Sequence, residues 1–129
     1  IREGSDGFIF SVGNTLETSI KVCDYLSGIG VEFGLANIRW IKPLPEKKIK
    51  NILSNTNRII TTEENVLIGG FGSSISEIIS DNDFRCSLLR NGIDDLFVKP
   101  GDKEYLSKIT KIDEGSLIEK IKAKWPDLF

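Results

Sequence analysis

Apolar runs of strand length alternate with helical patterns along most of this chain, and that alternation restricts the fold more than any other feature. Phe8-Ile9-Phe10-Ser11-Val12-Gly13 is short, apolar and closed by glycine, as a strand buried on both faces of a parallel sheet reads. From Thr15 the apolar positions Leu16, Ile20, Cys23, Leu26 and Ile29 recur at helical spacing, and Gly28 and Gly30 supply the stop. Val31 to Ile38 reads as a second strand. Pro45 opens a helix whose inward face is Ile49, Ile52 and Leu53, and Arg58 to Thr62 is a third strand. After a glycine turn, Ile75, Ile78 and Ile79 mark another helix, and Phe84 to Leu89 a fourth strand. Parallel strands need crossover connections, and right-handed crossovers predominate. The predicted fold is therefore α/β, a three-layer sandwich with a mostly parallel sheet of about five strands and helices on both faces. The fifth strand is Phe97-Val98, an edge strand free to run antiparallel, within a loop from Asn91 to Asp102. Two helices close the chain, with Asp102 and Asp113 as N-caps and with Tyr105, Leu106, Ile109 and Leu117, Ile118, Ile121 as their apolar faces.

Residues 1–129 fit one domain, long enough to close a hydrophobic core without disulfides or metals. No apolar run approaches the length that spans a bilayer, which argues against a membrane partner. The net charge is only −2 and the lysines are scattered among acids, so no basic footprint for nucleic acid is present. Lys120, Lys122 and Lys124 read as a solvated face near a helix C-terminus, where cations suit the dipole. Cys23 and Cys86 lie far apart in apolar patterns with no secretory signal before them, which reads as buried, reduced thiols in the cytoplasm. The chain has no histidine, which removes serine-histidine and cysteine-histidine nucleophile pairs together with imidazole metal sites. It starts at Ile1 and contains no methionine, and is expected to be excised from a longer protein.

Three places invite a functional reading. Gly69-Gly70-Phe71-Gly72-Ser73-Ser74 lies between a strand and a helix N-terminus, where backbone amides can cradle an anion. It lacks the register of a dinucleotide fingerprint or a phosphate loop, and the preceding acids oppose a phosphate, so close backbone packing is the better expectation. Glu63 and Glu64 are adjacent on a strand and point to opposite faces, which excludes a matched acid-base couple. Arg39 follows the second strand at the edge where open α/β sheets bind ligands, and its planar guanidinium can grip a phosphate through two parallel hydrogen bonds. No catalytic residue is identified.

Read together, Arg39-Trp40-Ile41-Lys42-Pro43, Thr62-Glu63-Glu64-Asn65 with the glycine turn, Gly92-Ile93-Asp94-Asp95-Leu96-Phe97, and Lys111-Ile112-Asp113-Glu114-Gly115 resemble the transketolase C-terminal domain family, most closely in its 1-deoxy-D-xylulose-5-phosphate synthase branch. The resemblance implies a homodimeric enzyme whose thiamine diphosphate and Mg2+ are held by N-terminal and pyrimidine-binding domains outside these residues. It implies that Arg39 reaches toward the phosphate of glyceraldehyde 3-phosphate, with Lys42 in support. By the same resemblance, Glu63, Glu64 and Asn65 hydrogen-bond the domain to its neighbours, and Gly70 and Gly72 pack near the subunit interface. This fragment alone is expected to be inactive. Trp40 stands where phenylalanine is more usual, Asp94 where proline is common, and the tail from Lys120 to Phe129 is longer and more basic than the synthase pattern. The last two departures leave room for a sister enzyme, a domain or split subunit of a transketolase; a stand-alone binding or regulatory module is the reading from another class.

Overall fold

A computed structural model describes residues 2–94, 101, 106 and 110–129. The order is β1 (Gly7–Val12), α1 (Thr15–Gly28), β2 (Phe33–Ile38), α2 (Glu46–Asn55), β3 (Arg58–Val66), α3 (Phe71–Asp81), β4 (Ser87–Ile93), α4 (Glu114–Lys124) and a final 3-10 turn, Pro126–Leu128. The described strands form one sheet in the order β2-β1-β3-β4, with every pair parallel. Four strands thus stand where about five were expected. The Phe97-Val98 edge strand lies outside the described residues, as does the helix expected after Asp102 apart from Leu106 and Thr110.

Because successive strand residues face opposite ways, the sheet separates two cores. Ile9, Phe33, Leu35 and Ile60 pack with Val22, Cys23 and Leu26 of α1 and with Leu117, Ile118, Ile121 and Trp125 of α4 and its end. Phe8, Phe10, Ile38 and Ile59 pack on the other side with Ile49 and Leu53 of α2 and with Phe71, Ile75 and Ile78 of α3. The strands are apolar on both faces because each face carries helices, the three-layer arrangement predicted above.

Several boundaries and faces differ from expectation. β3 runs on through Glu63, Glu64 and Asn65 to Val66, and β4 begins at Ser87 and runs to Ile93. Polar residues in these extensions hid strand that the pairing with neighbours enforces. Val31 is buried but precedes β2. On α1, Ile20 is 39% exposed and Ile29 falls beyond the helix and is also exposed; the buried stripe instead includes Thr15 and Ser19. Lys120 is not on a solvated face. It is half-buried and donates to Asn91 Oδ1 (2.6 Å) and to the Lys111 carbonyl (2.7 Å), and burial lowers its ammonium pKa against the opposing pull of Asp94 and Asp113. Lys122 instead sits over the rings of Tyr25 and Phe129. Asp113 caps α4 as expected, accepting from the Ser116 amide. Both cysteines are free; Cys86 is half-buried, whereas Cys23 is buried, which pushes its thiol up to about 11.

Residues 2–6 run antiparallel along the outer edge of β2. Arg2 exchanges both backbone hydrogen bonds with Leu35 (3.1 and 2.9 Å), and Asp6 meets Glu32 through its amide and its carboxylate. Gly4 lies so close to β2 that a Cβ there would sit 2.0 Å from the Gly34 nitrogen. Arg2 also pairs with Asp24 and Glu32. This strap covers an edge that would otherwise offer unpaired amides and carbonyls.

Ile60 is fully buried in the core on the α1 side of the sheet, whereas Ile20 faces outward. Ile60→Ala should therefore lower the unfolding free energy by about 2–5 kcal/mol, and Ile20→Ala by about 0.5 kcal/mol or less. Urea unfolding of the two variants checks this; equal losses would contradict the outward placement of Ile20.

Candidate functional site

The C-terminal ends of the strands carry nearly all the residues singled out from sequence, in two groups separated by the end of β1. One group is built on the β3–α3 connection. Glu63 ends the buried part of β3 and is itself fully buried. Its Oε2 accepts from the Phe71 amide and its Oε1 from the Gly72 amide, both at 2.8 Å. These are N-terminal amides of α3, which have no partner inside the helix. A carboxylate there gains two charge-assisted bonds and a favourable dipole, offsetting the cost of removing it from water.

The glycines of the turn make this approach possible. A Cβ on Gly70 would lie 2.5 Å from Glu63 Oε2 and 2.6 Å from the Val66 carbonyl. On Gly72 it would lie 2.8 Å from Thr61 Oγ1 and 3.1 Å from the Arg90 side chain. Arg90 closes the same corner by donating to Ser73 Oγ at 3.1 Å. The turn is therefore closely packed, and its helix N-terminus is filled from within. Glu63 bonds to its own chain because the glycine turn folds back over its strand.

Glu64 points the other way and is exposed, as the strand alternation requires. Its Oε2 accepts from Asn14 Nδ2 at 3.2 Å. That bond spans the ends of β1 and β3, which is the point where connections leave in opposite directions and where open α/β sheets bind ligands. Asn65 is exposed at the same edge.

Beneath this edge lies a polar row that the sequence reading missed. Asn37, Ser11, Thr62 and Asn91 stand in register across all four strands. Ser11, Thr62 and Asn91 are buried. Thr15 Oγ1 is within 3.0 Å of Thr62 Oγ1 and of the Thr62 carbonyl, and within 2.9 Å of Ser11 Oγ and of the Val12 carbonyl. Its single proton serves one of these acceptors at a time, while its lone pairs receive from neighbouring hydroxyls. Ser19 Oγ adds a contact to Thr62 Oγ1 at 3.0 Å. The network fixes the start of α1 against β1 and β3. Its signal in the sequence was hydroxyl residues at strand ends and at one helical turn's spacing, Thr15 and Ser19.

The second group lies on the β2–α2 connection. Val12, Gly13, Asn37, Ile38, Arg39, Trp40 and Ile41 line an open cleft of about 530 Å3 between the ends of β1 and β2. Arg39 is exposed at its rim, and no hydrogen bond or ion pair engages its guanidinium among the described residues. Trp40 is 72% exposed. Lys42 is exposed and precedes a cis bond to Pro43, but does not line the cleft. Arg39 is thus one strand removed from the Asn14–Glu64 bridge. Asn37, Gly13 and Trp40 join it as lining residues that the sequence reading did not single out as contacts.

Geometry alone defines the class: a parallel α/β domain with its polar edge at the strand C-termini, one helix N-terminus closed by an internal carboxylate, and one open arginine-bearing cleft. The chain belongs to the transketolase C-terminal domain family, which is matched over residues 1–117. Among curated relatives it is 36% identical to the 1-deoxy-D-xylulose-5-phosphate synthase of Syntrophomonas wolfei over 129 residues, covering 100% of this chain and 20% of that protein. It is 32% identical to that of Caldanaerobacter subterraneus over 128 residues, covering 99% of this chain and 21% of that protein. The chain spans about a fifth of the length of these relatives and matches their C-terminal part. Among solved structures, a split-gene transketolase described as an inactive beta4 tetramer superposes with a TM-score of 0.86 at 20% identity, covering 95% of this chain and 40% of that one. A transketolase from Campylobacter jejuni gives 0.67 at 14% identity, covering 93% of this chain and 17% of that one. At those identities the likeness is one of fold. No described helix is long and apolar enough to cross a membrane.

The shared cap gives a direct test. Glu63→Gln keeps one acceptor and turns an amide donor toward the second N–H, and should destabilise by about 1–3 kcal/mol. Gly70→Ala pushes a methyl group into the same carboxylate and the Val66 carbonyl, and should cost about 1–3 kcal/mol. Since both break one contact set, the double variant should lose less than the sum, by about 0.5 kcal/mol or more. A denaturant-based double-mutant cycle measures this, and strict additivity would mean that Glu63 and the turn are not coupled.

Proposed function

We propose that this chain is the C-terminal domain of a 1-deoxy-D-xylulose-5-phosphate synthase, acting in the cytoplasm as part of a homodimer that joins a two-carbon unit from pyruvate to glyceraldehyde 3-phosphate. The observation that carries the reading is 36% identity to a synthase across the full 129 residues. The transketolase alternative is weaker, because the transketolases matched in structure are 14–20% identical. A stand-alone module has no observation in its favour.

Thiamine diphosphate and Mg2+ supply the carbanion chemistry in enzymes of this kind, and the described residues do not fit them. The helix N-terminus suited to a diphosphate is filled by Glu63, and the described residues hold no group of three or more histidine, cysteine or acidic side chains placed for a metal. We propose that the cofactor is held by N-terminal and pyrimidine-binding domains of the full-length enzyme. This chain's part is acceptor binding: Arg39 presents a guanidinium with no partner among the described residues, in an open cleft at the C-terminal edge of the sheet, suited to a phosphate dianion. Lys42 adds positive potential nearby without lining the cleft.

In the full-length enzyme, Arg39→Ala should raise the KM for glyceraldehyde 3-phosphate about ten- to a hundred-fold, the loss expected for a charge-assisted hydrogen-bond pair. The KM for pyruvate should stay nearly constant. Arg39→Lys should recover only part, since a point charge does not reproduce the fork. Steady-state kinetics with both substrates checks this, and an unchanged acceptor KM removes Arg39 from the site.

A further inference from the structure

Three of the exposed large apolar side chains lie at the C-terminal edge of the sheet. Trp40 follows β2 at 72% exposure, Ile68 follows β3 at 77%, and Val66 lies beside Ile68. Singly they would need no explanation, but here they flank the same edge, on either side of the end of β1. The strap of residues 2–6 indicates what covers them. It runs antiparallel to β2, from Asp6 beside Glu32 to Arg2 beside Leu35. Followed toward the N-terminus, the chain therefore heads toward the end of β2 at Ile38, three residues or roughly 10 Å beyond Leu35. The strap thus points a polypeptide that precedes it toward the Arg39–Trp40 edge.

Two features make that delivery rigid. Gly4 presses its backbone against Gly34 at a distance no side chain would allow, and Arg2 is held by Asp24 and Glu32. We propose that the Trp40–Ile68 edge is the docking face for the polypeptide immediately preceding Ile1, with the strap acting as a clasp that fixes the direction of approach. This rests on the reading of the chain as the C-terminal fifth of a longer enzyme. It adds which surface meets the preceding domain and which residues set the approach. The Arg39 cleft then lies at a junction between domains, a common place for small-molecule sites.

Hydroxyl-radical footprinting of the full-length polypeptide tests the proposal, with Tyr25 on the outer side of α1 as internal reference. Corrected for intrinsic reactivity, Trp40 should be oxidised about ten-fold more slowly than its 72% exposure in this domain would give, as for a residue in the core of an interface, while Tyr25 keeps the rate its exposure sets. The protection should not change on dilution below the dimer dissociation range. Arg2→Ala, which removes the ion pairs of the clasp without touching its backbone bonds, should raise Trp40 oxidation; Gly4→Val should raise it further. Trp40 reacting at the rate of a free surface overturns the proposal. So does protection that disappears on dilution, which would make a second copy the occupant. An active synthase with a reactive Trp40 would reject the docking face alone, whereas a protected Trp40 in a protein without synthase activity would reject the functional reading alone.

Discussion

Glu63 holds the C-terminal edge of this domain in shape by joining the end of a strand to the start of a helix. Its carboxylate accepts from the Phe71 and Gly72 amides at 2.8 Å, so the β3–α3 turn must fold back over its own strand. That requirement explains the close glycines, since a side chain at Gly70 would collide with the carboxylate it serves. It also explains why a glycine-rich turn at a helix N-terminus is not a phosphate site here. The amides and dipole that would attract an external anion are already engaged by an internal one. The open cleft lies instead on the β2–α2 side, where Arg39 meets no carboxylate partner among the described residues.

The fold was legible because both faces of the sheet are covered. Strands apolar on both sides produce continuous runs such as Phe8-Ile9-Phe10, and these cannot be mistaken for an amphipathic pattern. Where polar residues enter the strands the reading stopped short. The third strand was expected to end at Thr62, yet β3 continues through Glu63, Glu64 and Asn65 to Val66, because pairing with β4 and the buried Glu63 cap outweigh local propensity. Likewise Ile20 fits a helical apolar stripe, but the true inward stripe contains Thr15 and Ser19, whose hydroxyls are bonded within the fold. Lys120 was misplaced for a related reason: its long stem is covered by the fold while its ammonium finds oxygen acceptors on Asn91 and Lys111.

The candidate site was legible by position more than by partner. Arg39 lies at the predicted strand end, and Glu63 and Glu64 diverge as adjacent strand residues must. Which of the two acids turns inward depends on the parity of β3 relative to the two cores, which a single sequence does not display. The polar row Asn37-Ser11-Thr62-Asn91 is a product of register between four separated segments, so its polar residues at strand ends are visible locally but their alignment is not.

A division of labour across the sheet follows from these placements. The β1–β3 junction, the usual ligand position for such a topology, is spanned by the Asn14–Glu64 bond and underlain by buried hydroxyls, so it is built for cohesion. The β1–β2 junction is open, carries an arginine and an exposed tryptophan, and lies toward the strap through which the chain arrives. The two junctions thus differ in kind: one is closed by bonds within the chain, and the other leaves an arginine and a tryptophan exposed on an open cleft.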